Sequence, residues 1–431
     1  MLFVLLVVGL FIGHSRSLAQ ESDDRNDLRW WKGNLHTHSL WSDGDQFPEM
    51  IADWYVQRGY NFLALSDHNV LSEGDRWMAV DKAVARADDG LLDRYRERFG
   101  EHWVETRGEK GTAKEQVRLK PLDEFRALVE SRGQFIMIPG EEISDKFGRK
   151  PIHINATNLA EKIEPQGGDS VTATIQNNLR AIIEHEKQHG REVLPHVNHP
   201  NFGYAITAEE LAAVASERFF EVYNGHPGVN QLGDETHESI ESMWDSINAI
   251  RRTDLNIPPI FGIATDDSHE YHGKPGSRPG RGWVMVRSRY LTPEHLIKAM
   301  KRGDFYASSG VVLSEVQFDT AERTLKIEIP AVDSVTFTTQ FIGTRRAAEH
   351  VGTAGEAKDG EDAGGEDADD HDHDHVHPGE VFATVEGLSP SYKLTGDELY
   401  VRAVVTSSRD HHDPSYKDQK QQAWTQPVGW E

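Results

Sequence analysis

The chain has 431 residues, a formal net charge of −25 at pH 7 and no cysteine. This length suits one large domain together with a smaller one. The negative charge argues against a nucleic-acid duplex or an anionic membrane surface as the main partner. Without cysteine, neither disulfides nor thiolate ligands exist. Any bound metal must therefore be held by His, Asp and Glu side chains.

The N-terminus carries an apolar run over residues 2–12, which is followed by Ser17, Leu18 and Ala19. This pattern is typical of a signal peptide that is cleaved after a small residue, here Ala19. The run is too short for a comfortable bilayer crossing, so we expect no stable membrane insertion after cleavage. We predict a signal peptide over residues 1–19 and a periplasmic or extracellular protein. A disordered apolar N-terminus is the alternative.

Seven short apolar runs recur along the first part of the chain, and most of them precede a segment with helical spacing. Alternating strands and helices predict a parallel α/β arrangement, and seven such units favour a barrel over an open sheet. The polar segment 72–120 is predicted to add one or two helices and a loop. The first run begins at Trp30, and the others lie at 62–66, 135–138, 152–157, 193–197, 219–223 and 259–264.

The pattern changes beyond residue 310, where short alternating runs follow one another without helices. These runs predict a small antiparallel β domain over residues 311–431. Residues 354–377 interrupt it with a stretch rich in Gly, Asp, Glu and His. So few apolar residues predict a disordered insert.

Side chains that bind metals stand at or just beyond the ends of the predicted strands, which is the face where barrels build their sites. Side chains two apart in a strand share a face, so His36 and His38 are expected to meet. Each histidine taken singly is better explained by a core or surface position, and the whole set carries the prediction. Such a set can fill the shells of two or three divalent ions. Its members are His36, His38, Asp43, His68, Glu142, His153, His199, Asp267 and His269.

The order of these motifs resembles the PHP family, named for polymerase and histidinol phosphatase. The resemblance covers residues 30–310. It implies a distorted seven-stranded (β/α)7 barrel that holds two or three divalent metal ions (zinc, manganese or iron) and hydrolyses phosphoesters. The motifs are His36-Thr37-His38, Ser42-Asp43-Gly44, Ser66-Asp67-His68-Asn69, Gly140-Glu141-Glu142-Ile143-Ser144, His153, Asn198-His199-Pro200 and Asp267-Ser268-His269.

The resemblance also implies a division of the ligands among three metals. Glu142 is preferred to Glu141 by the Gly-x-Glu spacing of the family, and Asp267 is preferred to Asp266. Some members carry His where this chain has Asp43, which makes the third metal the least secure. His36, His38, Glu142 and Asp267 would hold the first metal, Glu142, His153 and His199 the second, and Asp43, His68 and His269 the third.

Three further residues are predicted to act on the substrate. Arg278 and Arg281 lie just beyond the last strand that bears ligands, and they are predicted to contact phosphate. Their alternative is an ordinary surface charge. His226 lies near the same face and is predicted to touch substrate or orient a ligand, with packing as the alternative.

These patterns favour an exported metal-dependent phosphoesterase that acts on a small phosphorylated substrate. One alternative is an amidohydrolase-like barrel that cleaves a bond other than a phosphoester. Such barrels usually carry a bridging lysine at a strand end, and the sequence shows no such lysine. The other alternative is a non-catalytic protein that binds metal or glycan through its β domain.

Overall fold

The structure is a computed structural model that describes residues 27–346 and 377–430. The predicted signal peptide lies outside the described residues, as does the predicted acidic insert except for its last residue, His377. Both stay predictions.

The described chain contains strands and helices in a mixed order. The strands are β1 (Arg29–Asn34), β2 (Phe62–Leu65), β3 (Arg76–Ala79), β4 (Thr106–Arg107), β5 (Gln116–Leu119), β6 (Ile136–Phe147), β7 (Lys150–Thr157), β8 (Leu194–Val197), β9 (Phe219–Asn224), β10 (Phe261–Thr265), β11 (Trp283–Ser288), β12 (Phe305–Ser308), β13 (Glu315–Asp319), β14 (Thr324–Glu328), β15 (Phe337–Arg345), β16 (Glu380–Glu386), β17 (Ser391–Lys393), β18 (Glu398–Asp410) and β19 (Lys420–Thr425). The α-helices are α1 (Pro48–Gln57), α2 (Val80–Arg86), α3 (Leu91–Phe99), α4 (Leu122–Val129), α5 (Val171–His189), α6 (Ala208–Ala212), α7 (Ile240–Ile250) and α8 (Pro293–Lys301), and a short π-helical turn (Arg251–Leu255) follows α7.

A single large sheet organises the described residues, and each of the seven predicted strands lies in it. The order of its 13 strands is β10-β9-β8-β7-β6-β2-β1-β11-β12-β19-β18-β15-β16. The pairs β1–β2, β2–β6, β8–β9 and β9–β10 are parallel, as predicted. The carboxyl ends of these strands therefore meet at one edge.

The expectation of a purely parallel arrangement is wrong at β7, which pairs antiparallel with both β6 and β8. The reason is the length of the connection. Only Gly148 and Arg149 lie between β6 and β7, whereas a crossover to a parallel strand needs about a dozen residues or more. Gly148 has a φ of 61°, a left-handed value that suits a tight hairpin turn.

The barrel is not closed by a continuous ladder, and a count of seven strands is not confirmed. At one end β10 pairs with β9, whereas β1 pairs on its other side with β11 rather than with β10. An isolated parallel bridge between Thr37 and Ser268, rather than a ladder, joins the chain after β1 to the chain after β10. In it the amide of His38 donates to the carbonyl of Ser268 at 2.9 Å.

Helices cover the sheet through apolar faces with helical spacing. In α5, Ile175, Leu179 and Ile182 are fully buried and belong to the same core as Ile154 of β7 and Val197 of β8. The hydroxyl of Ser170 caps α5 at its start. No helix among the described residues combines the length and apolar character needed to cross a membrane.

The polar segment 72–120 forms the short helices α2 and α3, together with a three-stranded sheet in the order β3-β5-β4 that the sequence did not predict. Its apolar side chains pack as a separate small core around the chain that follows β1. Tyr95 stacks on Phe47, and Leu91 and Val117 are buried beside them. The segment thus supports the loop that carries Asp43.

The C-terminal strands join the large sheet through β19, which pairs with β12 on one side and β18 on the other. A buried ion pair adds a second link, because the guanidinium of Arg402 on β18 donates to both carboxylate oxygens of Asp245 on α7, at 2.8 and 2.6 Å. Trp424 stacks on Tyr223 of β9. The C-terminal strands are therefore packed against the residues that carry the site.

Candidate metal centre

The chain after β1 places two histidines side by side. Asn34 ends β1, and its side-chain oxygen accepts a hydrogen bond from the amide of His36 at 2.9 Å. The amide of Thr37 donates to the hydroxyl of Ser66 at 2.9 Å. The extended backbone thus turns His36 and His38 to the same side, where both are completely buried.

Glu142 of β6 lies at the centre of the cluster and is completely buried. Its two carboxylate oxygens face ring nitrogens of five histidines, which come from four segments: the chain after β1, the ends of β2 and β8, and β7. The distances are 3.4 Å to His36 Nε2, 3.6 Å to His38 Nε2, 2.5 Å to His68 Nδ1, 2.9 Å to His153 Nδ1 and 3.4 Å to His199 Nε2.

Asp267 follows β10 and faces the same Nε2 atoms of His36 and His38 that Glu142 faces. Its Oδ1 lies 3.2 Å from Nε2 of His36 and 3.2 Å from Nε2 of His38. The side-chain amide of Asn224 donates to its other oxygen at 3.1 Å. Asp267 has a φ of 49°, a left-handed conformation that Asp adopts more readily than most residues.

Asp43 forms the open side of the cluster, and its side chain is 52% exposed. Its carboxylate lies 3.5 Å from Nε2 of His68, 3.4 Å from Nε2 of His269 and 3.6 Å from Nδ1 of His38. A substrate would therefore approach from the side of Asp43, because the other two carboxylates are buried.

These separations fit ligands that share metal ions. Two atoms that each lie about 2.1 Å from one ion at a tetrahedral angle are about 3.4 Å apart. Moreover, Nε2 of His36 and both ring nitrogens of His38 are buried and make no hydrogen bond, a cost that a bound ion would remove. Within the described residues, four groups have ligand atoms close enough to hold an ion: His38 with Asp43, His68 and His269; His36 with His38 and Glu142; His68 with Glu142 and His153; and His36 with His196 and Glu221.

The electrostatics of the cluster also call for a cation. Burial alone would raise the pKa of Glu142, but the charges of His153, His68 and His36 hold that pKa well below its usual value. The same balance lowers the pKa of Asp267. Burial and the neighbouring His269 lower the pKa of His38 to about 3. Two ionised carboxylates beside a neutral imidazole, which keeps one ring nitrogen with a free lone pair, make a ligand set for a divalent cation.

The geometry brings together all nine predicted ligands, and it differs from the predicted division in detail. His38 lies within reach of Asp43 as well as of Glu142 and Asp267, so it borders the first and the third predicted metal positions. His68 similarly lies near both Asp43 and Glu142. The allocation of each ligand to one metal stays a prediction.

Glu221 of β9 positions several members of the cluster without facing its centre. One of its oxygens lies 2.7 Å from Nδ1 of His36 and accepts a hydrogen bond from Thr265 at 2.7 Å. The other accepts from the amide of His199 and from the side chain of Asn224, both at 2.8 Å. A carboxylate on the second nitrogen of a ligand histidine fixes its tautomer and orientation.

Replacing Glu221 with Gln is expected to weaken metal binding by about 10- to 100-fold, because one of the two oxygens that orient His36 and His199 becomes an NH₂ group and the carboxylate charge is lost. Equilibrium titration of the metal-free protein with manganese or zinc measures this effect. Glu209→Gln, at an exposed position of α6, is the matched control. Equal affinities for the two variants would contradict the assigned role of Glu221.

Asp67 performs a similar task for the loop that carries Asp43. It accepts hydrogen bonds from the amide and hydroxyl of Ser39, at 2.8 and 2.7 Å, and from the hydroxyl of Ser42 at 2.6 Å. Asp67, Asn198 and Asn224 were not predicted as site residues. Each of them had a signal in the sequence. Asp67 and Asn198 directly precede the predicted ligands His68 and His199, and Asn224 stands at the end of β9.

The two predicted phosphate-binding arginines are engaged elsewhere. Arg281 is almost fully buried, donates from Nη1 to the carbonyls of Gly225 and Gly276 at 2.7 and 2.8 Å, and contacts Asp413 of the C-terminal strands. Arg278 pairs with the same Asp413. For Arg281 these contacts do not support the prediction of phosphate binding, because its donors are directed at protein oxygens. For Arg278, whose Nη2 alone pairs with Asp413, phosphate binding stays a prediction. Arg281 braces the loops that follow β9 and β10.

His226 lies beside the cluster, with its ring centroid 5.9 Å from that of His269. Its Nδ1 accepts a hydrogen bond from the amide of Gly228 at 2.9 Å, so Nε2 carries the proton when the ring is neutral. Burial, against the opposing charge of Asp267, lowers the pKa of His226. A neutral ring with a proton on Nε2 is compatible with the predicted contact to substrate, which stays a prediction.

Comparison with known proteins adds two likenesses. No family model and no curated protein matches the chain. A two-domain protein containing a predicted PHP-like metal-dependent phosphoesterase, from Bacteroides vulgatus, is 15% identical, with 94% of this chain and 96% of that chain covered and a TM-score of 0.39. A protein proposed to be a metal-dependent phosphoesterase, from Bifidobacterium adolescentis, is 12% identical, with 57% and 90% covered and a TM-score of 0.28. At TM-scores this low, neither likeness bears on what this chain does.

Proposed function

We propose that this chain is a metal-dependent phosphoesterase that hydrolyses a small phosphorylated substrate, and that it acts in the periplasm or outside the cell. The observation that carries the proposal is the position of Glu142, whose carboxylate faces five histidines while Asp43 and Asp267 flank them. Because the chain has a net charge of −25, an anionic substrate can bind only where local positive charge outweighs the negative charge of the surrounding protein.

The ligand set fits two or three divalent ions of zinc, manganese or iron. Such ions lower the pKa of a coordinated water and neutralise the oxygens of a phosphoryl group. The chain's own residues fix the geometry. Glu142 and Asp267 hold the negative charge of the site at neutral pH, and Glu221 orients His36. The half-exposed Asp43 leaves one side open to the substrate.

His226 is proposed to donate a proton or a hydrogen bond to the substrate. Its Nδ1 is occupied by the amide of Gly228, which leaves the Nε2 proton available. A group that donates to the leaving oxygen contributes typically about 10²- to 10⁴-fold to the rate.

The test is hydrolysis of an aryl phosphate monoester and a diester by the protein loaded with manganese or zinc, alongside an aryl amide and an aryl acetate. Turnover of a phosphate ester that His36→Ala and Asp267→Asn abolish is the expected result. His102→Ala, at an exposed histidine of the 72–120 segment, should behave as the unchanged protein. Turnover of the amide or acetate alone would point to hydrolysis of another bond, and no turnover with any metal would overturn the proposal.

Replacing Asp43 with His is expected to shift the preference of the open metal position from manganese toward zinc by about tenfold, since imidazole suits zinc and a carboxylate suits manganese. Dialysis against equal concentrations of both metals, followed by metal analysis, measures the ratio. Asp81→His, at an exposed position of α2, controls for an added surface histidine. An unchanged ratio would show that Asp43 does not contact a metal.

A further inference from the structure

The hairpin of β6 and β7 extends past the metal centre. β6 has 12 residues, whereas its parallel neighbour β2 has 4. β6 and β7 pair in regular register, with Ser144 opposite His153 and Lys146 opposite Pro151. Because side chains alternate along a strand and opposed residues share a face, Lys146 lies on the face that bears Glu142.

A cavity of about 560 Å³ lies on this part of the hairpin, and Ser144, Lys146, Arg149, Pro151 and His153 line it. Two of these residues also belong to the metal centre. Nδ1 of His153 lies 2.9 Å from Glu142, and the hydroxyl of Ser144 lies 2.5 Å from Nδ1 of His68. The cavity therefore borders the centre through His153 and Ser144.

The charges in this cavity are unbalanced. Lys146 and Arg149 are exposed, and neither side chain has an ion-pair or hydrogen-bond partner among the described residues. The one acidic residue of the lining, Asp145, is engaged by the amide of Gly167 at 2.7 Å and the side chain of Asn178 at 2.8 Å. The lining therefore carries two unpaired cations and one hydrogen-bonded carboxylate, which is a net positive charge beside the centre of a strongly acidic protein.

We propose that this cavity binds a second anionic group of the substrate, distant from the phosphoester that is cleaved. The proposal rests on the proposed function and specifies its substrate class. Lys146 follows Glu142 by four positions along β6, so their Cα atoms are about 13 Å apart at roughly 3.3 Å per residue. A small molecule with an anionic group at each end spans this interval once the lysine side chain reaches back toward the centre. Lys146 and Arg149 then determine specificity and take no part in the chemical step.

The experiment compares three probes with the same six-carbon chain: hexanediol bisphosphate, phosphorylated hydroxyhexanoate and hexanediol monophosphate. The first two carry a distal phosphate or a distal carboxylate, and the third ends in a hydroxyl. The expected kcat/KM of the unchanged protein is about tenfold higher for the bisphosphate than for the monophosphate, because charge-assisted hydrogen bonds to the distal group are added. This advantage should shrink as salt is added.

Lys146→Ala/Arg149→Ala is expected to raise KM for the bisphosphate about tenfold, to leave kcat unchanged and to leave the monophosphate unaffected. Lys326→Ala, on the separate sheet of β13, β14 and β17, is the control for loss of a surface cation. If the unchanged protein also prefers the carboxylate probe to the monophosphate and the double variant removes that preference, the site accepts any distal anion. If the unchanged protein shows no such preference, the site accepts only a distal phosphate.

Equal loss for bisphosphate and monophosphate, or no loss for either, would overturn this inference and leave the phosphoesterase proposal intact. Calorimetric binding of the same probes to the manganese-loaded protein decides the case in which nothing is hydrolysed. Binding of the bisphosphate no tighter than that of the monophosphate would then overturn the inference as well. Tighter binding that the double variant removes would support the anion site even though the phosphoesterase proposal had failed.

Discussion

Replacing Glu142 with Gln is expected to lower kcat/KM for an aryl phosphate at least about a thousandfold and to reduce bound metal to less than one ion per chain. The amide keeps the size of the side chain but loses the charge that five histidines face. Its NH₂ group would also point at the histidine ring nitrogens that are expected to bind a metal ion. Initial rates and metal analysis on the same preparation measure both effects.

The adjacent Glu141 provides the matched control. Its side chain lies on the opposite face of β6, where it accepts a hydrogen bond from the amide of Ile163 at 2.6 Å. Burial raises the pKa of Glu141 to about 7, so Gln resembles the protonated form that is already populated near neutral pH. Glu141→Gln should retain metal and activity. If both variants kept their metal, Glu142 would not be the centre of the site.

Replacing Arg402 with Met is expected to destabilise the fold by about 3–5 kcal/mol, because it leaves the carboxylate of Asp245 buried without its charged partner. Both side chains are almost fully buried, and their bidentate contact joins β18 to α7. Tyr400 still donates to Asp245 at 3.0 Å, but one neutral hydrogen bond does not replace an ion pair. Denaturant unfolding monitored by tryptophan fluorescence measures the change.

Two further variants separate charge burial from loss of packing. Arg402→Met/Asp245→Leu removes both charges and should be more stable than Arg402→Met alone. Lys393→Met breaks an exposed pair with Glu322 and should cost only about 0–1 kcal/mol. A cost for Arg402→Met no larger than that for Lys393→Met would show that the link between the C-terminal strands and α7 contributes little.

Much of the candidate site was predictable because it depends on local order along the chain. Alternation in an extended segment brings His36 and His38 together, and it also separates Glu141 from Glu142. The ends of β2, β8 and β10 then supply His68, His199 and Asp267 at the same edge. These relations follow from strand geometry, so no tertiary contact had to be known to infer them.

The parts that were not predictable depend on contacts between distant residues. Arg281 is separated from Asp413 by more than a hundred positions, and nothing near Arg281 in the sequence indicates that its guanidinium is engaged there. The antiparallel direction of β7 was not predictable from runs at 135–138 and 152–157, which leave 13 residues between them, whereas the observed β6 and β7 leave only Gly148 and Arg149. The predicted closure of the barrel was also wrong, because β1 pairs with β11 rather than with β10.

The decisive measurement is an anomalous diffraction map of crystals grown with manganese or zinc. We expect two or three peaks in the space between Asp43, Glu142 and Asp267, each about 2.0–2.2 Å from the nitrogen or carboxylate oxygen atoms that bind it. One of those atoms should belong to Glu142. A map with no peak within bonding distance of Glu142, at metal concentrations that saturate activity, would contradict a metal centre at this position.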